Sequence, residues 1–314
     1  MLRPFSISGI GALVALLLAC TFFSLGTPRF LRGENISLIL QQAMVIGVEA
    51  IGQTLVILTA GIDLANGTVM ALGSVVMTGL AVNNGVPPVL AVLIGFLVTS
   101  GFGLLNGALV TTIRLPPFIV TLGVLNITRA LTLIYTLTII TGLPDFMSTA
   151  GNTFTIGATQ ITFGSVLMIL LYIIMFFVLR ATAWGRHVYA IGNNPEAVRL
   201  AGISRTRLLL SVYALAGLFY GIAGLLLVGR TGVGDPQAGL NDNLGSITAV
   251  VLGGTSLFGG RGNILGTLVG TLIVSVFNNG LQLMGVQEIY QVLITGILVI
   301  LAVSVDQMSH RTQG

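Results

Sequence analysis

The segment WGRHVYAIGNNPEAVRLAGISRTR, Trp184 to Arg207, decides how the rest of the chain is read. It is the longest clearly polar, charged segment in a chain that otherwise carries almost no charge. Apolar runs long enough to cross a membrane flank it on both sides. Inside it a short helix is marked at both ends. Asn194 is a good N-cap, Pro195 suits the first helical position, and Glu196 favours the positive end of the helix dipole. Arg199 falls in the last turn and Gly202 follows where a helix stops. A compact helix between two spans reads as a handle for a cytoplasmic partner. The plainer reading is a solvated loop that only obeys the positive-inside bias. Spacing alone leaves both open.

Composition supplies the solvent. Of 314 residues, 54% are hydrophobic and 7% charged, whereas a soluble domain carries roughly 25% charged residues. So few charges cannot clothe a water-facing surface, so the bilayer must be the main solvent. The 42 glycines suit close helix packing in lipid. A net charge of +4 does not argue for nucleic acid, because the arginines sit at span ends and form no basic face. Cys20, the one cysteine, makes no intrachain disulfide and reads as a small packing residue.

Taken in order, the chain reads as an all-α polytopic membrane protein of about ten transmembrane helices, one permease-like unit over residues 1–314. The first apolar run, to Leu25, resembles a signal peptide but is long and has no clear cleavage site, so it is expected to be retained. The second run, Leu38 to Thr59, carries Glu49. A break follows, Ala60 to Gly67, before a short third run, Thr68 to Val82. The fourth covers Val89 to Thr111, the fifth reaches Ile140 and contains Arg129, and the sixth covers Ile161 to Leu179. Beyond the central segment lie the seventh run, Leu208 to Val228, and a second break, Arg230 to Asn243. A short eighth run, Leu244 to Phe258, follows it, then the ninth, Asn263 to Leu283, and the tenth, Ile289 to Val305.

With the N-terminus inside, Arg3, Arg114, Arg180, Arg186, Arg199, Arg205, Arg207, Arg261 and Arg311 fall in the cytoplasm. Only Arg29, Arg32 and Arg230 fall outside. Nine against three is the bias a correct topology shows. The halves also echo each other. Gly61-Ile62-Asp63 precedes a short run, then Asn106-Gly107, then Gly123. Gly234-Asp235 precedes a short run, then Asn279-Gly280, then Gly296. The copies lie five runs apart, so the second would be inverted. Inverted repeats with broken helices mark transporters, with substrate or gate near the breaks.

Four blocks carry a resemblance: GIDLANGTVMALGSVV (Gly61 to Val76), LPPFIVTLGVLNITRAL (Leu115 to Leu131), GRHVYAIGNNPEAVRLAGI (Gly185 to Ile203) and AVVLGGTSLFGGRGNILGT (Ala249 to Thr267). In order and over nearly the whole chain, they resemble the transmembrane permease of ribose-type ABC importers. The resemblance implies a permease dimer, two cytoplasmic ATP-binding subunits that hold ATP and Mg, and a soluble sugar-binding protein. It also implies that Asn194 to Ala201 is a coupling helix seated in a cleft of the ATP-binding subunit. The sequence departs from the family pattern at Asn241 to Thr248, where Asn243 and Gly245 stand at positions that often carry acids. If that stretch meets the substrate, the sugar differs from ribose.

Single residues carry two readings each. Asp63 either bonds a sugar hydroxyl or gates the path, or it caps the third helix through the amide of Ala65 or Asn66. Arg129 is costly in lipid, so it is expected either on a gate or path, or paired with Asp63 or Glu49. Asn66, Asn278 and Asn279 are candidates for a polar path; helix glue is the plainer role for the last two. Trp184 and Tyr189 are expected at the membrane interface. On the handle, Glu196 and Arg199 are expected to meet the ATPase, with Ala197, Val198 and Ala201 as a compact apolar contact.

Enzyme readings fail on inventory. Two histidines and one cysteine make no metal cluster, and no stretch matches the G-x-x-x-x-G-K-[ST] loop. No cofactor is expected in this chain. Two functional classes remain: a permease driven by a separate ATPase, for a sugar or for branched-chain amino acids, and a stand-alone secondary carrier. The carrier would want an intramembrane carboxylate relay.

Overall fold

The computed structural model of the protein describes residues 7–157 and 159–311; Arg3 and the side chain of Arg311, both assigned to the cytoplasm above, lie outside what is described. The described residues form thirteen α-helices and one hairpin. In chain order the first five helices are α1 (Ile7–Gly26), α2 (Gly33–Leu58), α3 (Asn66–Val82), α4 (Pro88–Ala108) and α5 (Pro117–Tyr135). A short α6 (Asp145–Ser148) leads to the antiparallel strands β1 (Thr153–Ile156) and β2 (Thr159–Thr162). Then come α7 (Phe163–Ala181), α8 (Ala183–Asn193), α9 (Pro195–Leu200) and α10 (Arg205–Thr231). The last three are α11 (Asp242–Leu252), α12 (Ile264–Leu283) and α13 (Glu288–Arg311).

Each of the ten apolar runs contains a helix, but α5 stops at Tyr135 and α11 at Leu252, short of the run ends at Ile140 and Phe258. By length and composition, six helices among the described residues can cross a membrane: α2, α4 with its π-helical end, α5, α7, α10 and α12. The protein is therefore a multi-pass membrane protein. The polar stretch between the fifth and sixth runs, Thr141 to Gln160, supplies α6, β1 and the start of β2. The central segment holds two helices where one was expected.

Local chemistry sets many of the ends. Pro88 and Pro117 open α4 and α5 at positions that need no backbone donor. Thr162, Ser204 and Asn263 cap α7, α10 and α12 through their side chains. Burial sorts the helices into layers. From Ala43 to Leu58 all but one residue of α2 is buried, and α10 lies beside it, packed on α2, α3 and α4. The outer helices α4, α5 and α7 turn large apolar side chains outward: Leu97 is 71% exposed, Ile134 79% and Phe177 60%. Water would penalise that surface, whereas lipid accepts it.

Candidate coupling and translocation site

The handle is built on a corner. Thr182 ends α7 and caps α8, accepting from the amide of Gly185 at 3.0 Å. Asn194 ends α8, donating its amide to the Ala190 carbonyl at 2.9 Å, and caps α9. Its Oδ1 accepts from the amides of Glu196 (3.1 Å) and Ala197 (3.0 Å), with Pro195 at the first helical position, as expected. The far end closes with two backbone bonds, Gly202 N–H to Arg199 O and Ile203 N–H to Val198 O. Gly202 takes φ +77°, the left-handed geometry of a helix stop. Glu196 and Arg199 pair on the exposed face, with Nε to Oε distances of 3.0 and 3.1 Å. The guanidinium holds the Glu196 carboxyl below the usual carboxylate range.

One expectation about the handle is overturned. Val198 does not face outward; it is 3% exposed and packs in the chain's own core with Val188, Ile191 and Leu208, where it anchors α9. Ala197 and Ala201 remain exposed. The sequence reading passed over Leu200, which stands 73% exposed on the same short helix.

The handle also touches the first break. A Cβ on Gly192 of α8 would meet the Leu58 carbonyl and the Gly260 amide, so only glycine lets α8 approach so closely. The Gly260 amide in turn donates to Leu58 O at 2.9 Å. Tyr189 donates its hydroxyl to Gly262 O at 3.2 Å, and Trp184 donates Nε1–H to Ser211 Oγ at 2.8 Å. Both aromatic groups expected at an interface thus also tie α8 to the bundle. Two residues past Leu58, Ala60 holds φ +60°, a strained setting for a residue with a Cβ.

Beyond Ala60 the chain runs unwound to α3. Asp63 is 1% exposed. Its Oδ1 accepts from the Ala65 amide at 2.9 Å, the local bond expected, but this closes a turn before α3, since Ala65 holds the N-cap position and no side chain caps the helix; its Oδ2 accepts from the Tyr220 hydroxyl of α10 at 3.2 Å. The expected pairing with Arg129 is not formed. Arg129 is exposed on α5, and the one ion pair among the described residues is Glu196–Arg199. α5 meets the break through threonines instead: Thr121 donates to Ile62 O at 3.0 Å, and Thr128 to Thr68 Oγ1 at 2.8 Å. A hydroxyl can hold a carbonyl in lipid without the desolvation cost of a guanidinium.

The two breaks meet in the core. Asn66 at the start of α3 donates Nδ2–H to Ser246 Oγ of α11 at 2.6 Å and reaches Gln53 Oε1 of α2 at 3.4 Å. Asn243 donates to Leu64 O at 3.2 Å. Above them Glu49 is fully buried, and both its carboxylate oxygens lack a hydrogen-bond partner. Asn278 lines a cavity of about 250 Å³ together with Gln42, Arg230, Asn241, Asp242, Gln282 and Gln291. Asn279, one residue on, is buried with its Oδ1 unpaired. Tyr220, Gln53 and Ser246 were missed by the sequence reading. Gln42, Glu49 and Gln53 recur at helical spacing along one face of α2, and that was the available signal.

Comparison with known proteins fits this architecture. The family model described as "Branched-chain amino acid transport system / permease component" matches residues 35–303. The fructose import permease of Rhizobium meliloti is 47% identical over 89% of this chain and 79% of its own length. The ribose import permease of Bacillus subtilis is 41% identical over 95% and 92%. The ribose import permease of Escherichia coli is 38% identical over 94% and 92%. No solved structure matches the chain. The chain belongs to this permease family, and these relatives within it are sugar import permeases.

Proposed function

We propose that the chain, residues 1–314 as one unit, is the membrane-spanning subunit of a binding-protein-dependent ABC importer for a monosaccharide. Two permease chains form the path in the bacterial inner membrane. A soluble protein delivers the sugar, and a separate cytoplasmic subunit binds ATP and Mg and hydrolyses the ATP. The observation that carries the reading is α9: capped at both ends, exposed, and rooted in the bundle by Val198. Asn194 to Gly202 is the docking element, and Glu196, Ala197, Leu200 and Ala201 face the ATPase. A rigid element of this kind can transmit closure, because coupling needs discrete arrangements. The contacts from Gly192 to Leu58 and on to Ala60 supply the route to the first break. The path runs past Asp63, Asn66, Asn278 and Asn279, with Arg129 at its edge.

The sugar reading rests on the names of the relatives; the family description keeps branched-chain amino acids as the runner-up substrate. Buried Glu49 is the one feature a stand-alone carrier would want, but such a carrier has no use for α9. The test is ATP-dependent uptake of D-ribose, D-fructose and L-leucine by vesicles holding the permease with its ATP-binding subunit, with the soluble binding protein supplied outside. Sugar uptake that requires ATP supports the reading; uptake that persists without the ATPase overturns it. The topology has its own check. A single cysteine at Ser204 stays unlabelled by an impermeant maleimide in intact cells, and labelling there reverses the orientation.

A further inference from the structure

Of the three outer helices, one turns polar groups outward at membrane depth. The exposed side chains of α4 are apolar, Leu93, Leu97 and Leu104 among them, and so are those of α7 up to Arg180 at its end. Both faces suit lipid. α5 has 19 residues, about 28 Å at the helical rise, so Asn126 near its centre lies at mid-depth. Asn126 is exposed, and so is Arg129 three residues on. The face that α5 buries in the bundle is a different one, with Thr121, Val124, Thr128 and Thr132. An amide and a guanidinium at that depth are expensive against hydrocarbon, so this outward face of α5 is not a lipid face.

The face has the spacing of a helix seam. Ile119, Gly123, Asn126 and Ala130 are all exposed and follow one another by four, three and four residues, the repeat of two helices packed side by side. A Cβ on Gly123 would meet nothing, so the face is notched there and a second backbone can come close. Asn126 donates one amide hydrogen to Leu122 O at 3.0 Å. Its other hydrogen and its Oδ1 have no partner among the described residues. A group left with one donor and one acceptor complements a copy of itself across a twofold axis, as an isologous contact requires. Lipid tails offer neither.

We propose that a second copy of this chain covers the face, α5 against α5 about a twofold along the membrane normal. Gly123 lies at the closest approach, and Asn126 bonds to Asn126 of the partner subunit. The inference rests on the two-chain reading above and assigns its seam. Both chains share one orientation in the membrane, so the two helices run parallel and equal residues meet at equal depth. Arg129 stands about 60° from Asn126 around the helix, beside the seam. Two guanidinium groups repel across the axis, so each keeps to the edge, where water between the chains reaches it. On the opposite side of α5, Thr121 donates to Ile62 O and Thr128 to Thr68 Oγ1. Each first break then stands one helix from the twofold, and the α5 pair joins the two breaks.

Thiol crosslinking tests the seam on the full chain in membrane vesicles with its ATP-binding subunit. Cys20→Ser removes the native thiol. In that background Asn126→Cys and Ile119→Cys are oxidised with copper phenanthroline, beside Leu97→Cys on α4 and Ile173→Cys on α7. The α5 variants should run at twice the permease mass with a yield about tenfold above the other two. Yields on α5 no higher than those on α4 and α7 overturn the seam. Gly123→Cys takes the place of Asn126→Cys if that variant does not insert. The second measurement is co-purification of two differently tagged permease chains from detergent. Asn126→Leu lowers it several-fold while Asn126→Gln keeps most of it; equal co-purification of the two variants overturns the amide pair. The reading beneath fails separately. Wild-type chains that do not co-purify overturn the two-chain importer, whereas co-purification without α5 crosslinks overturns the seam alone.

Discussion

The handle and the first break sit within a few residues of each other in space and are satisfied in opposite ways. On α9 the marked polar groups find local partners: Asn194 caps two amides, Gly202 closes the last turn, and Glu196 holds Arg199. Such an element moves as a unit. At the break, Asp63 and Asn66 find partners on α10 and α11, Leu64 O accepts from Asn243 of α11, and nearby Glu49 and the Tyr213 hydroxyl find none. Such a segment can exchange one set of partners for another at modest cost, because its bonds are not fixed by its own helix. A stiff lever joined to a re-pairable core is what a mechanically driven permease needs.

The comparison breaks most severely at the joint. Gly192→Val would drive its side chain into Leu58 O and the Gly260 amide, at a cost of about 1–3 kcal/mol for overpacking. Uptake should fall to background while the protein still inserts. Retained uptake would show that lever and break are not joined there. Next in size is Asp63→Ala, which strands the Tyr220 hydroxyl and the Ala65 amide. Each buried orphan costs about 1–3 kcal/mol, so the thermal midpoint in detergent should drop clearly, with Tyr220→Phe falling less. Asn194→Ala removes the cap of α9 and costs about 1 kcal/mol. Hydrogen exchange should speed at Glu196 and Ala197, with uptake reduced but present. The smallest effect belongs to Arg129→Ala. Arg129 is exposed and makes no ion pair among the described residues, so stability should shift by no more than about 0.5 kcal/mol. A large loss would reinstate a buried partner for it.

The same contrast explains what could be read ahead. The ten apolar runs and both ends of α9 were legible, because periodic burial in lipid and capping are local signals. α8 was not, since Gly185 and Gly192 weaken a helical reading, although Trp184, Val188 and Ile191 already lay at the spacing of one buried helical face. Val198 was assigned to the wrong side because a six-residue helix does not reveal which face the bundle covers. For Asp63 the local bond from the Ala65 amide was legible, though it closes a turn and does not cap α3, and its second partner is 157 residues away. Charge cost alone proposed Arg129, whereas packing of α10 across the break supplied Tyr220. The polar face of α2 was visible, but the helices it faces were not.

The central claim, that α9 is the docking element of the ATPase, is tested most directly by Ala197→Arg. Ala197 is exposed, and no described contact of its side chain holds the fold together, so the variant should insert and melt like the wild type. Its co-purification with the ATP-binding subunit and its ATP-dependent uptake are measured side by side. The account predicts that assembly and uptake are both lost from a normally folded permease. Normal assembly with full uptake would contradict it and leave Asn194 to Ala201 as a solvated turn.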